Sequence, residues 1–296
     1  MPPRQSRARQ SAQFTERDAF LDALEFAPES VSGAGRSREE RRMIADRLFA
    51  ASCDSRDPMM AMAYALRAVR LEPACLDARV LLAIAAGGPA SEFIEELEKI
   101  LAVGEADLGP DFFKQNRGHF WGLTETRPYM RARHHLALEL YNAGRIAEAI
   151  HHFEEMLQLN PSDNQGLRYS LLGHYLEAGD LDGARRLFKT YGDEPFAMFL
   201  WSRVLERYLS GDLIGAVEAL HHARKQNPHV EPFLVGKARL PKTRPDYYGI
   251  GDMAEAITCM EAIGSAWKKH REAIQWLKKE HGSGHIFKKS DGKSIQ

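Results

Sequence analysis

Three glycines set the frame of this chain: Gly144, Gly179 and Gly211 are each followed five residues later by an alanine (Ala149, Ala184, Ala216) and nine later by Phe153, Phe188 or Leu220. A proline closes each unit at Pro161, Pro195 and Pro228, so the period is 32 to 35 residues. A period of this length is the mark of a stacked array in which each unit buries its apolar face only against its neighbours. Each recurring residue has a geometric reason to be there. The glycine suits the left-handed cap that ends a helix, the alanine lets two helices approach closely, and the proline cannot continue the helix it follows.

Between Tyr129 and Pro228 the spacing predicts two helices per repeat. In the first repeat Leu136, Ala137 and Leu140 make the apolar stripe of one helix, and Ile146, Ala149, Ile150, Phe153 and Leu157 that of the next. The second repeat has Leu171, Leu172, Tyr175, Leu181, Ala184 and Phe188, and the third has Val204, Leu213, Ala216 and Leu220. The third departs from the pattern by placing Arg203 where a leucine is usual. Upstream, residues 38–73 read as a degenerate unit whose turn lacks the glycine. Residues 74–86 and 91–103 form a further helix pair broken at Gly87, Gly88 and Pro89.

Downstream of Pro228 the period fails. Pro232, Pro241, Pro245, Gly249 and Gly251 mark a turn-rich connector, and Asp252 with Glu255 signals the start of a helix carrying Ala256, Ile257, Met260 and Ile263. A shorter helix with Ala273, Trp276 and Leu277 follows, and the pair is expected to cap the end of the array. The expected organisation is thus a basic, disordered tail (1–13), a leading helix and linker (14–37), degenerate helical repeats (38–128), three repeats (129–228), connector and capping helices (229–280) and a polar tail (281–296).

These glycine, alanine, aromatic and proline positions make the chain resemble a tetratricopeptide-repeat protein. The resemblance implies an all-α fold, a right-handed α-solenoid of helix-turn-helix repeats. The strings WGLTETRPYMR at 121–131, LNPSDNQGLRY at 159–169 and NPHV at 227–230 are similar to bacterial repeat proteins without settled function. NPHV with the later GDMAEAI at 251–257 is similar to the suppressor-of-tumorigenicity family of repeat proteins. That kinship spans residues 120–280 and carries no assigned chemistry.

In such arrays the first helix of each repeat lines a concave groove. The glycine register then places Arg131, His134, Leu138 and Tyr141, then Gly166, Tyr169, Gly173 and Leu176, then Met198, Trp201, Leu205 and Tyr208 on that groove. An aromatic, apolar groove with a basic rim suits an extended or helical peptide, and Arg127, Tyr129 and Arg131 would orient it. Asn164, Gln165 and Arg168 lie beside Tyr169 and are candidate ligand contacts. The competing reading has Asp163 or Asn164 capping a helix, with Gln165 and Arg168 bonded to backbone nearby. Arg127 and Arg131 have an alternative too, an internal pair with Glu125 or Asp163. The expected function is therefore a non-catalytic protein-interaction module or scaffold with a protein or peptide partner.

The rival chemistries are weaker. A formal net charge of −1 argues against a nucleic-acid footprint over the whole chain, leaving Arg4, Arg7 and Arg9 as a short basic arm or a targeting segment. The histidines come in adjacent pairs, His134–His135, His151–His152 and His221–His222, and neighbours on a helix point about 100° apart, against the i, i+4 spacing of metal ligands. A metal site built from His134, His151 or His174 across helices is the remaining form of that idea. No phosphate-binding glycine loop or nucleophile elbow appears, and no cofactor is implied. Three scattered cysteines point to a reducing, cytoplasmic setting, and no apolar stretch is long enough to span a bilayer.

Overall fold

The computed structural model describes residues 35–282, Asp193 excepted. The basic tail, the leading helix with most of its linker, and the C-terminal tail beyond residue 282 lie outside the described residues. Fourteen α-helices and two short 3-10 turns, with no strand among the described residues, make up the all-α fold. The chain divides into two compact units, one up to Glu139 and one from Leu140.

In the N-terminal unit α1 (Arg38–Asp54) pairs with α2 (Pro58–Leu71). Ser37 and Glu40 close a reciprocal capping box at the start of α1. The turn that lacks glycine uses Asp57 instead, whose carboxylate accepts from the Met59 amide at 2.9 Å while Pro58 opens α2. Small residues bring the pair together: Ala45, Leu48 and Ala51 pack against Ala65, Ala68 and Leu71. Helices α3 (Leu76–Ala86) and α4 (Ala90–Leu108) form the second pair, broken at Gly87 and Gly88 as their spacing predicts. Helix α5 (Pro110–Asn116) and the 3-10 turns Phe120–Gly122 and Thr124–Thr126 lead into α6 (Arg127–Asn142).

The C-terminal unit holds α7 (Ile146–Leu159), α8 (Leu167–Ala178), α9 (Leu181–Tyr191), α10 (Ala197–Leu209) and α11 (Leu213–Gln226). The three diagnostic glycines sit in one conformation, with φ of 78°, 79° and 81°. At each, the following amide reaches back to a carbonyl five residues earlier: Arg145 to Leu140 at 2.8 Å, Asp180 to Tyr175 at 2.8 Å, Asp212 to Arg207 at 3.0 Å. This Schellman geometry needs a residue without a Cβ, and it explains why the period is written in glycine. Ala149, Ala184 and Ala216 are fully buried, as their role in close helix approach requires. After the short α12 (Val230–Leu234) come α13 (Met253–Lys269) and α14 (Arg271–Gly282).

The placement of α13 differs from a cap over the end of the array. It packs along α8 and α10, the first helices of the second and third repeats. Those helices are buried over most of their surface. Six consecutive residues of α8, Leu171 to Leu176, are buried, as are Trp201, Ser202, Val204 and Leu205 of α10. Helices buried this widely are covered on their inner side as well, and α13 supplies that cover.

Candidate functional site

The helix faces predicted to line a groove are covered in the C-terminal unit by the chain itself. The tightest point is Gly173 on α8. A Cβ built there would stand 2.1 Å from the carbonyl oxygen of Ala262, so only glycine lets α8 and α13 come this close. One α-helical stretch along, Trp201 of α10 is fully buried with its ring centroid 6.4 Å from that of Trp267 in an edge-on arrangement. Tyr208 is half-buried against Trp276 of α14 at 5.2 Å. His270 at the end of α13 bonds the Leu176 carbonyl through Nε2 at 2.9 Å.

The start of α13 is fixed by a carboxylate. Glu255 is wholly enclosed, and its Oε1 accepts from the Ala197 amide at the N-terminus of α10, at 2.9 Å. Its Oε2 accepts from Asn227 Nδ2 at 2.8 Å and from the Gly251 amide at 2.7 Å. Asn227 also donates to the Asp252 carbonyl at 2.9 Å. The strings NPHV and GDMAEAI, distant in sequence, are thereby joined. The buried negative charge is satisfied by three N–H donors, one of them at a helix N-terminus where the dipole favours an anion.

The residues expected to contact a partner have these surroundings. In the N-terminal unit Tyr129 is buried rather than on a groove: its ring packs on Phe113 and Phe120, and its hydroxyl donates to Glu105 and accepts from Arg133. Arg127 donates to the Trp121 carbonyl at 3.0 Å and covers the Trp121 ring. Arg131 is exposed and forms a forked pair with Asp77, not with Glu125 or Asp163. His134 is half-buried, and burial, then neighbouring His135, lowers its pKa.

In the C-terminal unit Tyr141 is half-buried, stacked 4.0 Å from His174, and donates to Glu177 at 2.6 Å. Burial and that carboxylate raise its pKa, while a hydrogen bond with Ser265 of α13 opposes them. Asp163 is buried at φ 46° and caps α8, its carboxylate accepting from the Leu167 and Arg168 amides at 2.8 and 3.0 Å. The helix-cap reading of the polar string is the one the geometry adopts for Asp163. Asn164 is exposed, and Gln165 is half-buried with an enclosed Oε1 that accepts no hydrogen bond. Arg168 pairs with Asp163 and Glu194, both at 2.8 Å, and stacks on Tyr169 and Tyr191. Tyr169 donates to Glu194 at 2.7 Å. Its ring meets Phe196, and Phe196 in turn meets Tyr248 of the connector.

That connector carries what sequence reasoning missed. Tyr247 is 86% exposed and Ile250 53%, Tyr248 and Leu240 of the same connector are also exposed, and so is Met253 at the start of α13. The signal was present, because five large apolar residues in a proline- and glycine-rich stretch have no periodicity that would bury them. The histidine idea finds no support in geometry. Among the described residues no group of three or more His, Cys, Asp or Glu is arranged to hold a metal ion. His174 lies between the rings of Tyr141 and Phe153, where burial lowers its pKa to about 4. No described helix is long and apolar enough to cross a membrane.

No curated protein matches this chain. Residues 140–195, which run from the last turn of α6 through α9, match the family described as Tetratricopeptide repeat. The same glycine turn and buried alanine recur at Gly144, Gly179 and Gly211, and residues 140–195 carry tetratricopeptide repeats.

Proposed function

We propose that this chain is a non-catalytic protein-interaction module whose partner docks at the aromatic end of the C-terminal unit, where the second and third repeats meet the connector. Tetratricopeptide repeats generally mediate protein–protein interaction. The observation that carries the finer reading is the continuous run from Tyr169 through Phe196 to Tyr248, which opens onto exposed Tyr247 and Ile250. Aromatic side chains exposed beside an ordered network are favourable anchors, since they bury much area for little loss of conformational freedom. Asn164, Arg168 and Tyr169 would supply the polar rim at this end. Trp201 and Tyr208, packed against Trp267 and Trp276, contribute by holding α13 and α14 in place rather than by touching a partner.

The test is affinity capture with the full chain beside a Tyr247→Ala, Ile250→Ala double variant, both checked for equal melting temperature. A protein retained by the parent and lost by the variant supports the assignment. Equal retention of every species by the two overturns it.

A further inference from the structure

The N-terminal unit contains a cavity of about 220 Å³ that the interaction surface proposed above does not use. Its polar walls come from five separate elements. Asp46 belongs to α1, Glu72 follows α2, Asp77 opens α3, Asp107 lies near the end of α4 and Glu125 sits in the second 3-10 turn. Five carboxylates round one small space require compensation, and the arginines present provide it unevenly. Asp107 is paired with Arg38 and Arg42, and Asp77 with Arg131. Glu72 is only 6% exposed. Its Oε1 accepts from the Ala74 amide at 3.3 Å, but among the described residues its Oε2 accepts no hydrogen bond, and Arg41 stands 4.0 Å from that oxygen.

Asp46 forms no ion pair among the described residues. Burial, with Asp77 and Glu72 near by, holds its carboxyl above the usual range, although Arg42 and Arg131 act in the opposite direction. The enclosed Glu72 Oε2, without a donor, bears an uncompensated desolvation cost. A hydrogen-bond-donating cation would satisfy Glu72 Oε2 and pair with Asp46. Arg42, engaged by Asp107, and Thr124 also line the space, and one side of it is apolar, formed by Leu76, Leu108, Pro128 and Tyr129. An acidic end and an apolar side match a group with a long aliphatic stem and a charged head. The volume falls below the roughly 300–1,000 Å³ of sites for drug-sized ligands, which suits a single side chain.

We propose that this cavity is a socket for the side chain of an arginine or lysine presented by a partner protein, the head received by Glu72 and Asp46 and the stem laid against Leu76, Leu108 and Tyr129. This assignment is independent of the surface proposed on the C-terminal unit, and either can fail alone. A metal ion is the other cation to be considered, and the described residues include no group of three ligands able to hold one.

The experiment titrates the full chain with Nα-acetyl-arginine amide, Nα-acetyl-lysine amide and the neutral isostere Nα-acetyl-citrulline amide, read by saturation-transfer NMR and by thermal shift. Saturable binding of at least one cationic probe is expected, with no binding of citrulline, and a loss of at least tenfold in affinity in Asp46→Asn and in Glu72→Gln. Should Glu72→Gln fail to fold, the partly exposed Asp46→Asn carries the test. Equal binding of citrulline and arginine overturns the proposal, as does binding unchanged in Asp46→Asn. A response to magnesium or calcium in place of either cationic amide also overturns it, and so does silence of all the probes.

Discussion

Glu255 and His174 are two titratable residues buried in the C-terminal unit for opposite reasons. The Glu255 carboxylate is compensated by the amides of Ala197 and Gly251 and by Asn227, so removing it leaves three donors without an acceptor inside the protein. Glu255→Ala is expected to destabilise by about 3 kcal/mol or more in urea unfolding, and an unchanged midpoint would contradict the role given to it. His174 is buried neutral, its pKa depressed from 6.5 to about 4 by loss of hydration. The unfolded chain therefore binds a proton that the folded chain refuses between these two values. Stability from this group is complete above about pH 6.5 and declines as the pH falls toward 4, by about 3 kcal/mol at most. Thermal melts at pH 7 and pH 4.5 should show a steeper loss for the parent than for His174→Leu. Parallel losses would place the pH sensitivity elsewhere.

At the scale of elements, the contact of α13 with α8 and α10 is decided by one glycine and two tryptophans. Gly173→Leu has no room against the Ala262 carbonyl and must push α13 away, which should destabilise by about 3 kcal/mol or more. Trp267→Ala removes a fully buried ring beside Trp201 and is expected to cost about 3–5 kcal/mol. Chemical denaturation with tryptophan fluorescence reads both. The turns of the repeats were legible because they are local: a glycine at φ near 80° and a backbone bond spanning five residues are fixed by a few neighbours in sequence. The inner faces were legible in part. The glycine register pointed to Gly173, Leu176, Trp201 and Tyr208 as one surface, and all four meet α13 or α14. The nature of the occupant was not legible, although the run Leu171 to Leu176, with His174 its one strongly polar side chain, was a sign that α8 is covered on more than one side.

For the whole molecule, the prediction concerns what happens when the self-occupied faces are uncovered. A chain ended after Gly236 lacks α13 and α14 and exposes Trp201, Leu205 and the inner side of α8. It is expected to bind a hydrophobic dye and to elute as aggregate, earlier than the full chain run beside it. A truncated chain with the same melting temperature and elution as its parent would show that the repeats are sufficient by themselves. The sequence by itself determined the all-α class, the helix pairs and the turns that join them, because caps and a 3.6-residue apolar stripe act over distances of a few residues. Only the tertiary structure decided that the chain's own α13 lies on the repeats, joining for example Leu176 and His270 across 94 positions. The physical reason is that burial of apolar surface is non-directional, so the stripe of Ala256, Ile263 and Trp267 states that α13 must be covered without stating by what.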